Sequence, residues 1–428
     1  MLGERVGGGG GPRSTGNDSP ARGPGRLRGG AGPEPGPEPF PTFRSKVNVA
    51  KLTLGNRPFK QGDTLTDGME KRTRNPEPQR THALDLEPPR LREELSRHFR
   101  SRHQPDYRAD QVLRWIYESM AVSFQEMTNL PLAEREALDE TFHLQELRAA
   151  RTSRARDGTV KHLWELEDGQ LVESVLIPSG SRLTLCISSQ AGCAMGCTFC
   201  ATGWAGFDRQ LRAGEIVAQY REASRWAREN DYGAVSNVVY MGMGEPLANR
   251  KAVFPSLTIL NQGFGLGARK ITVSTVGVVP GILELARRPE QFELALSLHA
   301  PGSPLRRELI PLEKRYPLSE VMDALRTFAE AGGRRITFEY TMIDGVNDAL
   351  ELAPKVAELA GELRAFVNLI PFNPIPYRDW RPSPRPRIQA FRKALEDRGI
   401  TAMVREPRGR DIEAACGQLR ALAETPTG

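Results

Sequence analysis

The chain has 428 residues, 39% of them hydrophobic and 26% charged, a balance that suits a soluble protein with one large domain or two smaller ones. No apolar run approaches the roughly 18 residues that cross a bilayer, and residues 1–40 lack the apolar core of a secretory signal, so the expected location is the cytoplasm, with no membrane partner. The whole formal net charge of +6 falls in residues 1–82, where fourteen Lys/Arg face eight Asp/Glu, so global charge by itself is weak evidence for a nucleic-acid substrate.

Residues 1–82 are rich in Gly, Pro and Arg (GGGGGPRSTG, GAGPEPGPEP) and cannot bury enough apolar surface to offset the entropy of ordering, so a disordered extension is expected. Residues 89–151 read as a helical accessory domain. Its segment ADQVLRWIYESM sets Val112, Leu113, Ile116 and Tyr117 on one face at three- and four-residue spacing. Residues 152–180 read as a β-hairpin linker, with Thr159 to Leu166 and Leu171 to Ile177 flanking the turn pair Asp168-Gly169. Glu173 lies on the second arm. Over residues 181–380 short apolar runs alternate with amphipathic stretches. The strands expected are LTLCIS from Leu183, NVVYM from Asn237, KITVS from Lys270, LALSLH from Leu294, ITFEYTM from Ile336 and FVNLI from Phe366, with helices at 213–229, 251–262, 318–331 and 353–363. Six β–α repeats predict an α/β domain with a parallel sheet and right-handed crossovers, open or partly closed as a barrel. Function in such folds collects at the C-terminal ends of the strands. Residues 381–428 form a C-terminal segment. Basic residues outnumber acidic ones between Arg378 and Arg410, a patch that suits either phosphates or a solvated helix face.

Three of the five cysteines fall within eight residues, CAMGCTFC from Cys193 to Cys200, directly after the first strand of this domain. That pattern points to a metal site in a reducing compartment and not to a disulfide framework. Cys193, Cys197 and Cys200 can hold three irons of a [4Fe–4S] cube and leave the fourth open to a small ligand. A structural zinc site is the alternative, but it requires a fourth ligand and no His lies nearby. GMGEP, from Gly242 to Pro246, follows the second strand: its glycines allow close backbone approach, and its carboxylate can receive an ammonium group.

The Cys-x3-Cys-x2-Cys spacing, with Phe199 before the last cysteine, resembles the radical S-adenosylmethionine superfamily. The further motifs QAGCAMGCTFCATG, YMGMGEPLAN, VSTVGVVPGI, LSLHAP, NLIPFNP and DIEAACGQL, in this order, are similar to those of the RlmN/Cfr family of 23S ribosomal RNA adenine methyltransferases. The resemblance runs from about Pro89 to Leu419 and implies a radical SAM partial (β/α)6 barrel with the accessory domain in front of it. It implies a [4Fe–4S] cluster on Cys193, Cys197 and Cys200, and S-adenosylmethionine held by Gly244, Glu245, Ser274, Ser297, Leu298, His299 and Asn373. It makes Cys416 the residue that carries a methyl group as S-methylcysteine, Cys186 the resolving cysteine that forms a transient disulfide with Cys416, and Glu173 the proton acceptor. On residue type alone Cys416 and Cys186 also read as small core hydrophobes, Ser297 and His299 as a hydrogen-bonded strand end, and Glu173 as an exposed strand carboxylate.

Adenine C2 is electron-poor and carries neither an acidic proton nor a nucleophilic lone pair, so direct transfer from a sulfonium fails and a radical route is required. The family's solution consumes two S-adenosylmethionines, one to methylate Cys416 and one to supply a 5′-deoxyadenosyl radical. The implied substrates are an adenine in the peptidyl-transferase region of 23S rRNA and the adenine beside a tRNA anticodon. The implied electron donor is a flavodoxin or ferredoxin, and the implied state is a monomer. Two alternatives stand beside this reading. One is the C8-methylating resistance type, which shares these motifs. The other is a non-methylating iron–sulfur or dithiol redox protein, against which the GMGEP, SLHA and NLIPFN segments argue.

Overall fold

A computed structural model describes residues 80–144, 147–332 and 335–420 of the chain. The extension expected over 1–82 lies outside the described residues except for its last three. Thr81–His82 (β1) forms a short strand that pairs in parallel with Phe142–His143 (β2) at the far end of a helical region. Between them run three helices, Pro88–Ser101 (α1), Tyr107–Tyr117 (α2) and Leu132–Thr141 (α3). Pro88 and Pro89 start α1, where their missing N–H groups have no intrahelical role. Leu91, Leu95 and Phe99 recur every fourth residue of α1, and Ala109, Val112 and Ile116 form the matching stripe of α2. These faces share one core with Phe124, Met127 and Leu138, and with Val217 and Ile259 of the main domain.

Four antiparallel strands follow: Arg148–Arg154 (β3), Val160–Glu165 (β4), Leu171–Ser179 (β5) and Arg182–Cys186 (β6). The hairpin at Asp168-Gly169 is therefore present. The helical reading of residues up to 151, however, gives way to strand from Arg148. β3 is a sheet edge whose side chains are nearly all exposed, so it lacks the apolar alternation that marks a strand in sequence; charged residues on such an edge also guard it against unwanted pairing.

The small antiparallel pair Gln190–Gly192 (β7) and Phe207–Gln210 (β8) brackets the cysteine loop and the short helix Ala201–Ala205 (α4). Then come Ala213–Glu229 (α5), Asn237–Tyr240 (β9), Arg250–Thr258 (α6), Ile271–Thr275 (β10), Val279–Ala286 (α7) and Glu293–Ser297 (β11). Ser303–Leu309 (α8), Leu318–Glu330 (α9), Ile336–Met342 (β12), Ala353–Leu363 (α10), Phe366–Pro371 (β13), Arg385–Glu396 (α11) and Ala402–Val404 (β14) complete the fold.

From β6 through β9, β10, β11, β12 and β13 to β14 every pairing is parallel, and β5, β4 and β3 extend the same sheet antiparallel. The sheet has two edges, β14 and β3, and so remains open. β14 is a seventh parallel strand beyond the six β–α repeats expected. At three residues it is too short to display a period, and it is held by pairing with β13. Beyond β14 the chain returns to the antiparallel strands: the Gly409 amide donates to Asp157 Oδ2 at 3.0 Å, the Arg156 amide to Asp411 Oδ2 at 3.1 Å and Lys161 Nζ to the Glu413 carbonyl at 3.2 Å. No helix among the described residues is long and apolar enough to cross a membrane.

Candidate active site

The C-terminal ends of the parallel strands deliver the chemistry-bearing residues to one cavity. Its lining includes Cys193, Cys197 and Cys200 from the loop after β7, Gly244 and Glu245 after β9, Ser274 of β10, Ser297 and His299 at the end of β11, and Asn373 after β13. Cys416 of the returning C-terminal segment lines it too. Leu298 sits between its two neighbours with a fully buried side chain that belongs to the main core. Leu298, Cys186 and Glu173 do not line the cavity.

The cysteine donors fit a cluster better than a single ion. A tetrahedral zinc–thiolate site sets its sulfurs about 3.8 Å apart, whereas Cys193, Cys197 and Cys200 do not have all their sulfurs within 4.8 Å of one another; among the described residues only His82, His143 and Glu167 gather donor atoms that closely. Burial pushes the Cys193 thiol up to about 12 and Cys197 well above the ordinary thiol range. Such thiols ionise only against cations, which ligated irons provide.

Glu245 is buried and its carboxylate accepts from the Leu247 amide at 3.0 Å and the Val276 amide at 2.9 Å. Burial nevertheless raises its pKa to about 7, the amide of Val276 and the hydroxyl of Thr275 pulling the other way. Among the described residues it has no ion-pair partner, so a ligand ammonium finds a ready counter-charge. The loop beneath it needs glycine: Gly244 has φ of +100°, and a Cβ there would meet Gln190 at 2.6 Å. Gln190 accepts the Glu245 amide at 2.8 Å, and Ser188 accepts the Met243 amide at 2.8 Å while donating to the Glu173 carbonyl at 2.6 Å.

His299 also sits at positive φ, +54°. Its Nδ1 accepts the Thr341 amide at 2.9 Å, which assigns the proton to Nε2, and burial with Arg306 nearby lowers its pKa to about 3, so the ring is neutral. Phe199 packs edge-on against it at 4.4 Å. Glu339 of β12 lines the same cavity with one oxygen bonded to Asn368 Nδ2 at 2.9 Å and Oε2 buried without a hydrogen-bond partner. Burial raises its pKa, offset by Arg405. Arg306 is fully buried, paired with Glu313 at 2.5 Å, and donates to the carbonyls of Val276, Leu298 and Ser297 at 2.6, 3.3 and 3.4 Å. Glu339, Arg405, Gln190, Ser188 and Arg306 belong to this site or its support and were not singled out from sequence. Only Gln190 carried a signal there, as the first residue of the cysteine motif.

Asn373 links cavity and tail: Nδ2 donates to the Cys416 carbonyl at 3.1 Å, and Oδ1 accepts from Arg410 Nε at 3.2 Å. Cys416 is exposed, yet protein surrounds its thiol closely enough that burial raises its pKa, with the Arg405 guanidinium opposing. Cys186 ends β6, where burial raises its thiol and the nearby charge of Cys416 raises it further. Glu173 is 4% exposed, in place of the open strand position its sequence context permits. It pairs with Lys161 Nζ at 2.8 Å and accepts the Arg420 amide at 2.8 Å, four residues beyond Cys416.

Two family models match: the Radical SAM superfamily over residues 187–353, and the Ribosomal RNA large subunit methyltransferase N-terminal domain over residues 90–144. A probable dual-specificity RNA methyltransferase RlmN from Gemmatimonas aurantiaca is 50% identical over 339 residues, which cover 79% of this chain and 92% of that protein. The chain belongs to the RlmN family. A relative of the same description from Thermotoga neapolitana is 46% identical over 318 residues, covering 73% of this chain and 91% of its own. The crystal structure of a radical SAM methyltransferase from Sphaerobacter thermophilus superposes with a TM-score of 0.76 at 46% identity, covering 80% of this chain and all of that one. As an RlmN-family, radical SAM protein, the chain has a [4Fe–4S] cluster and S-adenosylmethionine as its cofactors.

Proposed function

We propose that the chain methylates C2 of a specific adenine in the peptidyl-transferase region of 23S rRNA, and of the adenine 3′ to the anticodon in tRNA, through a methyl group carried on Cys416. The observation that carries this reading is that Cys416 lines the same cavity as Cys193, Cys197, Cys200 and Glu245. A dithiol redox carrier has no use for a buried carboxylate without a cation.

When bound, the cluster and S-adenosylmethionine supply a 5′-deoxyadenosyl radical that removes hydrogen from an unactivated methyl. In this reading Cys193, Cys197 and Cys200 hold three irons, and Glu245 takes the methionine ammonium. Ser274, Ser297, the His299 Nε2–H and Asn373 supply neutral polar contacts. Cys416, with Arg405 favouring its thiolate, first takes a methyl by displacement: its sulfur bonds the carbon as the sulfonium C–S bond breaks. Once that carbon is joined to adenine, the adduct gives its unpaired electron back to the bound cluster and Glu173 accepts the C2 proton. The Cys186 thiolate then attacks the Cys416 sulfur, the S–CH2 bond breaks with its electron pair on the carbon, and that carbon takes up a proton to leave as the methyl product while the disulfide closes. The Arg420 amide bond to Glu173 supports this role by tying the acid to the segment that carries Cys416. Leu298 acts through its backbone, its amide bonded to the Glu339 carbonyl at 3.0 Å. The helical region and the basic stretch near the C terminus are the proposed RNA contacts. A monomer in the cytoplasm, reduced by flavodoxin or ferredoxin, completes the reading.

Mass spectrometry of ribosomal RNA and tRNA from a deletion strain tests it. The expected result is loss of 2-methyladenosine, restored by the intact gene and not by Cys416→Ala. Loss of 8-methyladenosine would assign the other regiochemistry, and unchanged RNA would overturn the reading.

A further inference from the structure

We propose that Trp204, Tyr377 and Arg378 form a stacking subsite for an unpaired nucleobase of the RNA substrate, beside the adenine offered to Cys416; this rests on the RNA methyltransferase reading above. Single exposed apolar side chains are ordinary, whereas ones that cluster into a patch rimmed by polar groups mark binding sites. Here Trp204 is 44% and Tyr377 41% exposed, with ring centroids 5.6 Å apart and planes within 15° of parallel. The Arg378 guanidinium lies over Trp204 at 5.2 Å and over Trp380 at 5.1 Å. Among the described residues Arg378 makes no ion pair, so its charge remains available.

Both halves of this platform are anchored to the segment that carries Cys416. Trp204 belongs to α4, whose Ala201 amide donates to the Gly417 carbonyl at 2.7 Å and whose Thr202 hydroxyl donates to the Leu419 carbonyl at 2.5 Å. The Trp204 indole N–H is itself fixed on the Thr198 carbonyl at 3.1 Å. Tyr377 follows Asn373, which holds the Cys416 carbonyl, and Gln418 Nε2 donates to the Pro374 carbonyl at 3.0 Å. An enzyme that works on an adenine ring must take that base out of its stack, which leaves the neighbouring base unstacked as well. Near-parallel aromatic planes with an unpaired guanidinium match what single-stranded RNA presents, a flat π face joined to a phosphate.

The test uses reconstituted enzyme matched for iron per chain and an RNA hairpin with the target adenine in its loop and 2-aminopurine beside it. The expected result is that wild-type enzyme quenches the 2-aminopurine fluorescence, and that Trp204→Ala/Tyr377→Ala binds the hairpin at least about tenfold more weakly without the quench. Trp204→Phe should retain most of both, because a phenyl ring still stacks. Unaltered affinity and quench in the double variant would overturn the subsite and leave the methyltransferase reading standing. Failure of the wild type to bind any such RNA would overturn both.

Discussion

Burial raises the Glu245 carboxyl to about 7, because the amides and hydroxyl that face it are neutral and no cation among the described residues offsets the loss of water. Above that pH the group is ionised and ready for an ammonium; below it, binding must first release a proton. S-adenosylmethionine affinity for the holoenzyme is therefore expected to fall as pH drops below about 7, approaching tenfold per unit, and Glu245→Gln should bind weakly with that slope flattened. Titration calorimetry across the range checks this, and an unchanged slope in the variant would contradict it. Glu245 announced itself in sequence because GMGEP is contiguous. Glu339 did not: ITFEYTM reads as an ordinary buried strand, and only the register of β12 beside β11 brings its carboxylate to the cavity.

Between the strands, Arg306 of α8 gathers the carbonyls that end β11 and follow β10, and it balances its charge on Glu313. Removing one member of such a buried pair strands the other, so Arg306→Met is expected to destabilise the enzyme by about 3–5 kcal/mol. Changing Glu313→Gln as well should recover part of the loss, as guanidinium chloride denaturation would show. Equal stability of the single variant and the parent would mean that the pair is solvated in solution. The helices that carry long amphipathic stripes, such as α5 and α10, run over the residues their periodicity predicts. Two strands that sequence missed share a cause: β3 is exposed on nearly every residue and β14 is three residues long, so neither bears a hydrophobic period. The helix α11 does carry one, at Ile388, Phe391 and Leu395, but falls in the stretch read only as a C-terminal segment. Arg306 was invisible for a related reason, since RRELIPLEK looks like a solvated basic helix until its partners are placed.

Cys186 ends the first parallel strand and Cys416 lies beyond the last, yet the charge of Cys416 is felt at the Cys186 thiol, because the returning C-terminal segment spans the open sheet toward β4 and β5. No local pattern in sequence encodes that approach. The resemblance to known methyltransferases points to both cysteines, and the effect of the Cys416 charge on the Cys186 thiol is what supports the proposed exchange between them. Their roles separate by the step that stalls. The most direct test is denaturing gel electrophoresis of reactions containing labelled substrate RNA, comparing Cys186→Ala with Cys416→Ala and with the double variant. Cys186→Ala should accumulate a protein–RNA species that survives denaturation, for want of the thiolate that attacks the Cys416 sulfur. Cys416→Ala and the double variant should give neither that species nor product. Normal multiple turnover by Cys186→Ala, or methylated RNA from Cys416→Ala, would contradict the account.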